Sequence, residues 1–542
     1  MERNIDRRRF LQRTAGLTAL ASLPGCASSP RVGARRAGLS AFPNPLVDAH
    51  AHVFNASDLP AARFIRRVML SLYAETGDIA EFRRIEDPDF IDALIKLFLA
   101  VLGAEGAPTA REEIEVLSGL RPATKAFTRH DAEDPQAIEG VAEFLLQRDE
   151  GAPGALSGDP EQSLRLELLR AGGATAAELR APGMIDTTAA LSTAKNAFRS
   201  EFAIGRVLRW FALFRKYRYA LVDRVAEMYA DQNVSAVLIA PALVDYSRWL
   251  QESPRSPFHD QVEVLGLIAS RPSGPVIHSY APFDPLREIY YRKASTGGNP
   301  AETEAALELV ETALDEHGFI GVKLYPPMGF RPTGNIDESV YPKHVIDDIG
   351  PTLGAQLDEA MEDLFVAVES RDACVLAHAA NSNESGDGFG QRADPAYWLP
   401  VFRAHPRLRV CLAHFGGFDS ISASAVGSTR PENSWEWTLG AYLDEHRRIR
   451  GGEAPVYGDL SYYSEVLVGD SAKRSESARY LLEFIRRFDP DCRHLLYGSD
   501  WMMLGIERNH VSYAKIIEEF LAEDCALDAQ RRERIMFGNA YR

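Results

Sequence analysis

Short apolar runs recur along this chain, and most are followed by a longer stretch whose apolar residues fall at helical spacing. The runs at Leu46–Phe54, Val234–Ala240, Val276–Ser279, Ile320–Tyr325, Ala373–His378, Arg409–His414, Pro455–Leu460 and His494–Ser499 predict eight strands. Helical patterns lie between them, for example over Pro300–His317 and Leu353–Ser370. Eight such alternations predict an α/β fold, a (β/α)8 TIM barrel, rather than an open sheet.

One gap breaks the rhythm. The first and second strands are about 180 residues apart, where a βα unit needs only roughly 30. The excess is an insertion over residues 58–215. Helical spacing recurs in it at Ala61–Glu75, Phe90–Leu102, Glu139–Gln147, Glu161–Ala171 and Ala194–Lys216, with polar, loop-like stretches at Asp131–Pro135 and Gly151–Asp159. Two readings stay open for it, a helical cap over the barrel mouth or a packing platform for a homo-oligomer. His130 within it reads as a surface residue.

The N-terminus stands apart from the fold. Asp6–Gln12 resembles a twin-arginine export signal, with Arg7 and Arg8 as the pair, and Ala15–Leu23 is apolar but too short for a permanent membrane span. Leu23-Pro24-Gly25-Cys26 resembles a lipoprotein cleavage box with Cys26 as the lipidated residue. The reading is therefore a signal peptide over 1–25, a tether over 26–45 and the barrel over 46–542. It implies export to the periplasm and membrane contact through the lipid anchor. Cleavage nearer Leu39 is the alternative.

Composition narrows the partners. The 542 residues are 46% hydrophobic and 25% charged, as in ordinary soluble proteins. A net charge of −17 argues against nucleic acid or an anionic membrane surface as the main partner, and leaves a small-molecule substrate. Cys374, Cys411, Cys492 and Cys525 have no zinc-motif spacing; the first two read as small buried strand residues, in preference to a disulfide pair. Gly386, Gly388 and Gly390 do not open a helix after a strand, so they carry little weight as a phosphate loop.

The chemistry gathers at strand ends. His50 and His52 are two apart on the first strand, so their imidazoles face one way and make half of a metal site. Three later runs end in one potential ligand each, at His378, His414 and Asp500. Taken singly, such a histidine is usually a hydrogen-bonded residue at a core edge, and such an aspartate a helix N-cap. Taken together they point elsewhere, because a closed parallel barrel brings these ends to one rim.

At these residues the chain resembles the amidohydrolase superfamily, in the branch that holds aminocarboxymuconate-semialdehyde decarboxylase, resorcylate-type decarboxylases and several lactone hydrolases. The matching pieces are Asp-Ala-His-Ala-His at 48–52, Gly-Val-Lys-Leu-Tyr-Pro at 321–326, Ala-His at 377–378, Ala-His-Phe-Gly-Gly at 413–417, Gly-Ser-Asp-Trp at 498–501 and the closing Gly-Asn-Ala at 538–540. His50, His52 and His378 would supply nitrogens and Asp500 an oxygen to one divalent metal. That donor set suits Zn²⁺ and accepts Mn²⁺ or Fe²⁺. The resemblance implies that Asp500 also shuttles a proton and that His414 orients water or polarises substrate; as an alternative, His414 is a ligand, as in dinuclear members. Gly498 leaves room beside the ligand, and Gly416 and Gly417 would let the chain turn after His414.

Lys323 stays open between a bridge for a second metal, a substrate contact and a structural role, with the second metal least favoured. His278 is similarly open. Asn381, Arg392 and Trp501, with Arg331 and Asn383, are candidate substrate contacts beyond strand ends. The first function class is a metal-dependent hydrolase of a lactone, ester or amide. The second is a non-oxidative decarboxylase of a small aromatic or unsaturated acid. The third is a non-catalytic ligand-binding lipoprotein, ranked last because no ligand position looks substituted.

Overall fold

The computed structural model describes residues 42–66, 88–103, 106–123, 134–147, 160–175, 179, 186–232, 234–272, 274–297, 304–381, 384–416, 434–467 and 471–542. The signal, Cys26, most of the tether, His130 and Asn383 lie outside them. Among the described residues no helix is long and apolar enough to cross a membrane.

The strands are β1 (Pro45–Ala51), β2 (Ala236–Pro241), β3 (Val276–Ile277), β4 (Tyr280–Pro282), β5 (Gly321–Leu324), β6 (Cys374–Ala377), β7 (Arg409–Leu412), β8 (Val456–Asp459) and β9 (Leu495–Leu496). All paired neighbours are parallel, in the orders β1-β2-β3 and β4 through β9. β3 and β4 are two pieces of one barrel strand. Across the break His278 N–H donates to Ile239 (3.2 Å), Ile320 N–H donates to Ser279 (3.0 Å), and Ala242 bridges Tyr280. At the other seam Ala49 N–H reaches Tyr497 (3.0 Å), Ser499 N–H reaches His50 (3.0 Å) and His52 N–H reaches Trp501 (2.8 Å). These bonds close the eight-stranded ring, as the alternation of apolar runs predicts.

Strand residues alternate between two packing layers. Val47, Ala49, Ala240, Tyr280, Leu376, Cys411 and Leu496 form the small cluster inside the barrel. Leu46, Ile239, Val322, Val375, Val410 and Leu495 belong to the large outer core against the helices. The Lys323↔Leu376 register puts Lys323 on the inner side. All four described cysteines are free.

The insertion is helical where it is described. Its helices include Pro88–Leu102, Ala110–Leu117, Pro135–Leu146, Pro160–Ala171, Thr187–Arg199 and Ala203–Leu213, while Arg218–Ala230 is the crossover helix leading into β2. Trp210 Nε1 donates to the Met502 carbonyl (2.7 Å) and Arg206 Nε to that of Ile506 (3.3 Å), both in the segment after β9. The insertion therefore rests on the C-terminal rim. The single helix expected over Ala194–Lys216 is two. Ser200 and Phe202 are extended (ψ 143° and 158°), because the Ser200 hydroxyl accepts the Phe202 N–H locally (3.1 Å) and competes with the helix. The expected Pro300–His317 helix starts later, as Ala306–Glu316, behind a further helix over Pro285–Gly297.

One carboxyl just past the end of β4, that of Asp284, makes stability depend on pH. Burial and the charge of Asp245 push Asp284 from 3.8 up to about 7. The folded chain therefore holds this proton more tightly than the unfolded chain. The resulting stabilisation is complete below pH 3.8 and is lost as pH rises through about 7. Asp284→Asn keeps an oxygen for Trp249 Nε1 and Leu286 N–H, which Asp284 Oδ1 accepts at 2.9 and 3.1 Å. Its melting temperature, measured against the natural chain's, is expected to rise steadily between about pH 4 and 8. A difference that stays constant across that window contradicts this.

Candidate metal centre

A bulge in β1 aims the two leading histidines. Strict alternation from Val47 and Ala49 would turn His50 and His52 outward, but the pairing with β2 shifts register between Asp48 and Ala51. Asp48 faces outward, where the Tyr229 hydroxyl donates to it (2.5 Å), and Ala51 joins the outer core. His50 and His52 thereby point into the barrel. Gly498 permits the fit, because a Cβ there would lie 2.8 Å from the His50 Cβ.

Neighbours assign the ring tautomers. His52 Nδ1 meets the Ala242 carbonyl at 2.8 Å, so it donates and its lone pair sits on Nε2. His50 Nδ1 meets Asp459 Oδ2 at 3.2 Å and the Ser461 hydroxyl at 3.0 Å, which likewise leaves the lone pair on Nε2. His414 Nδ1 faces the Ser461 carbonyl (3.2 Å), so its Nε2 accepts from His378 Nδ1 (3.1 Å), and the His378 lone pair falls on Nε2. Three imidazoles are thus set with Nε2 as the donor atom for a cation, each by a partner behind it.

Donor atoms of His50, His52 and Asp500 lie within 4.8 Å of one another, and all three residues are buried. His52 Nε2 stands 3.1 Å from Asp500 Oδ1, and His50 Nε2 stands 3.6 Å from it. A lone pair facing a carboxylate oxygen at this distance needs a proton or a metal ion between them. The residues present therefore fit a divalent ion. Asp500 is held by its backbone in the left-handed region (φ 53°), with its N–H on the His50 carbonyl (2.7 Å). A left-handed backbone at this buried aspartate marks a position that its surroundings over-determine.

Charge states suit ligation. Burial, then the Lys323 ammonium, lowers His50 to about 4, so its ring is neutral at neutral pH. Burial also takes His378 well below its usual value. Burial opposes ionisation of Asp500, but the close approach of His52 and the surrounding histidines prevail and hold its carboxyl low. Asp459 is likewise held low against burial by His50 and its hydrogen bond. Lys323 Nζ lies 3.0 Å from His50 Nε2, and burial lowers it to about 8.

Some sequence-based expectations land here and others do not. His50, His52 and Asp500 converge, and Lys323 joins them. His378 lies outside that tight group but has its ring stacked on Tyr325 and hydrogen-bonded to His414. His414 stands behind His378. The chain turns at His414 and Phe415, both at positive φ (57° and 53°), and Gly417 lies outside the described residues. The Arg392 guanidinium donates to the Gly329 and Val340 carbonyls and lies 3.9 Å from the Phe389 ring centroid, tying loops together. Trp501 follows Asp500. Its side chain is buried in the outer core, and its carbonyl takes the His52 N–H. Asn381 is exposed beyond β6. Arg331 is paired with Glu338 (2.6 Å), and His278 Nδ1 with the Gly318 carbonyl (3.0 Å). Asp459 and Ser461 were missed. The signal was present in Tyr-Gly-Asp-Leu-Ser at 457–461, another strand ending in a carboxylate.

Residues 292–542 match the family profile described as Amidohydrolase. No curated relative matches the sequence. Among solved structures, an amidohydrolase from Burkholderia multivorans with bound HEPES is 13% identical, with 62% of this chain and 90% of that one covered and a TM-score of 0.37. A 2,6-dihydroxybenzoate decarboxylase complexed with 2,6-dihydroxybenzoate is 14% identical, with 58% and 85% covered and a TM-score of 0.34. A probable 2-pyrone-4,6-dicarboxylic acid hydrolase from Acinetobacter baumannii with citric acid bound is 14% identical, with 59% and 86% covered and a TM-score of 0.33.

Proposed function

We propose, from the match of residues 292–542 to the Amidohydrolase profile, that this chain is a metal-dependent hydrolase of a small-molecule lactone, ester or amide. One observation carries the reading: His50 and His52 present oriented lone pairs to Asp500 inside a closed barrel. With His378 they would hold one divalent ion, and Zn²⁺ suits the donor set best, ahead of Mn²⁺ or Fe²⁺. When bound, such an ion polarises a carbonyl and lowers the pKa of water. Asp500 is placed to accept a proton from the attacking water and return it to the leaving group. His414 acts through His378, which it orients, and Lys323 supplies a cation for an anionic group on the substrate.

Lys323 also favours the second reading, a non-oxidative decarboxylase. A buried ammonium 3.0 Å from a ligand imidazole is where a substrate carboxylate would pair. The N-terminal sequence supports export by the twin-arginine route, followed by lipidation at Cys26 and a periplasmic address.

Elemental analysis of the purified chain is expected to find one divalent ion per chain. Zero or two ions would contradict the proposed site. A screen of lactones, esters, amides and aromatic carboxylates then separates the readings. Hydrolysis without carbon dioxide release supports the first, and carbon dioxide release overturns it for the second.

A further inference from the structure

A column of four buried rings runs from the insertion to a candidate ligand. Phe64, in the short insertion helix Ala61–Phe64, stacks on Tyr246 with centroids 5.5 Å apart and planes 8° apart. Tyr246, in the segment after β2, meets Tyr325 edge-on at 5.1 Å and 78°, and the two side chains are hydrogen-bonded. Tyr325, at the end of β5, stacks on His378 at 4.3 Å and 22°. All four are buried. The His378 ring thus has an aromatic face on one side and the His414 ring, 4.7 Å away, at its edge.

We propose that the insertion is a positioning element for the metal centre, with Phe64, Tyr246 and Tyr325 setting the plane of the His378 imidazole. This rests on the metal-site reading above. The physical basis is series packing. A stacked ring has one soft motion, tilt, and each member of the column blocks the tilt of the next. His414 fixes where His378 Nδ1 points, and Tyr325 fixes the ring plane about that axis. Together they direct Nε2. Neither the insertion nor Tyr246 needs to touch the ion for this to hold. Partners behind a ligand typically change metal affinity about 10–100-fold when removed.

The test measures Zn²⁺ affinity of the full chain by competition with a chromophoric chelator, and the visible spectrum of the Co²⁺-loaded chain as a report of ligand geometry. Tyr325→Leu and Phe64→Leu are each expected to weaken Zn²⁺ binding about tenfold and to change the Co²⁺ bands. Tyr325→Phe, which keeps the stack, stays within about twofold of the natural chain. In a His378→Ala background Phe64→Leu is expected to have no further effect, a result that general destabilisation would not give. Should Phe64→Leu fail to fold, Phe64→Met, whose unbranched side chain adapts to an irregular gap, takes its place. Natural affinity in Phe64→Leu and Tyr325→Leu, with the natural chain binding one ion, overturns this inference alone. No ion on the natural chain overturns the metal-site reading itself, and this inference with it.

Discussion

Asp500→Asn is expected to lower turnover about 10³-fold or more while leaving the fold intact. The fold survives because asparagine tolerates the left-handed backbone (φ 53°) that this position adopts. The amide still offers an oxygen to an ion held between it and His52 Nε2, which lies 3.1 Å from Asp500 Oδ1, but lacks the negative charge. Two functions go together: the anionic ligand that offsets a divalent charge, and the acceptor for a proton. The measurement is kcat on the substrate found in the screen, with far-ultraviolet circular dichroism and bound metal recorded alongside. Near-normal turnover in a folded variant would remove Asp500 from the mechanism.

The largest expected effect on stability is at Arg218. Its guanidinium is fully buried. Nε donates to Asp58 Oδ2 (2.8 Å), Nη1 to Glu113 Oε2 (3.0 Å) and Nη2 to the hydroxyls of Ser57 (3.0 Å) and Ser256 (3.2 Å). Four pieces of chain meet there: the segment after β1, the insertion helix Ala110–Leu117, the start of the crossover helix, and the segment holding Ser256 ahead of the helix Phe258–Ala269. Arg218→Met leaves Asp58 and Glu113 buried without a counter-ion and is expected to cost about 3–5 kcal/mol. Replacing Asp58 and Glu113 by apolar residues in the same chain is expected to recover much of that loss, since a well-packed apolar cluster substitutes for a buried ionic one. Urea unfolding of the single and triple variants checks both. A loss below about 1 kcal/mol for Arg218→Met would mean the cluster is solvated or relaxes.

The two effects differ in how they were legible. His50, His52, His378, His414 and Asp500 were readable because a barrel's parallel strands all end on one rim, so five separate sequence positions imply one place. Arg218 was not readable. Its partners Asp58 and Glu113 lie in the insertion, and no local pattern of one charged residue names a partner about 100 or more positions away. The same limit explains Arg392 and Trp501. Each lies just past a strand end, as a substrate contact would. Only packing shows that one guanidinium is committed to two carbonyls and that one indole faces the outer core.

What the chain alone determined is the alternation of elements, the eight-stranded closure and the residue types that meet at the rim, because these follow from periodicity and from the handed, short connections of parallel strands. Tertiary structure decided the aim of each group. A bulge between Asp48 and Ala51 turned His50 and His52 inward, against the alternation of Val47 and Ala49. Asp459, Ser461, His414 and the Ala242 carbonyl then chose which nitrogen of each ring carries the lone pair. Such choices depend on angles and distances of a few ångströms between segments remote in sequence, and one-dimensional spacing holds no record of them.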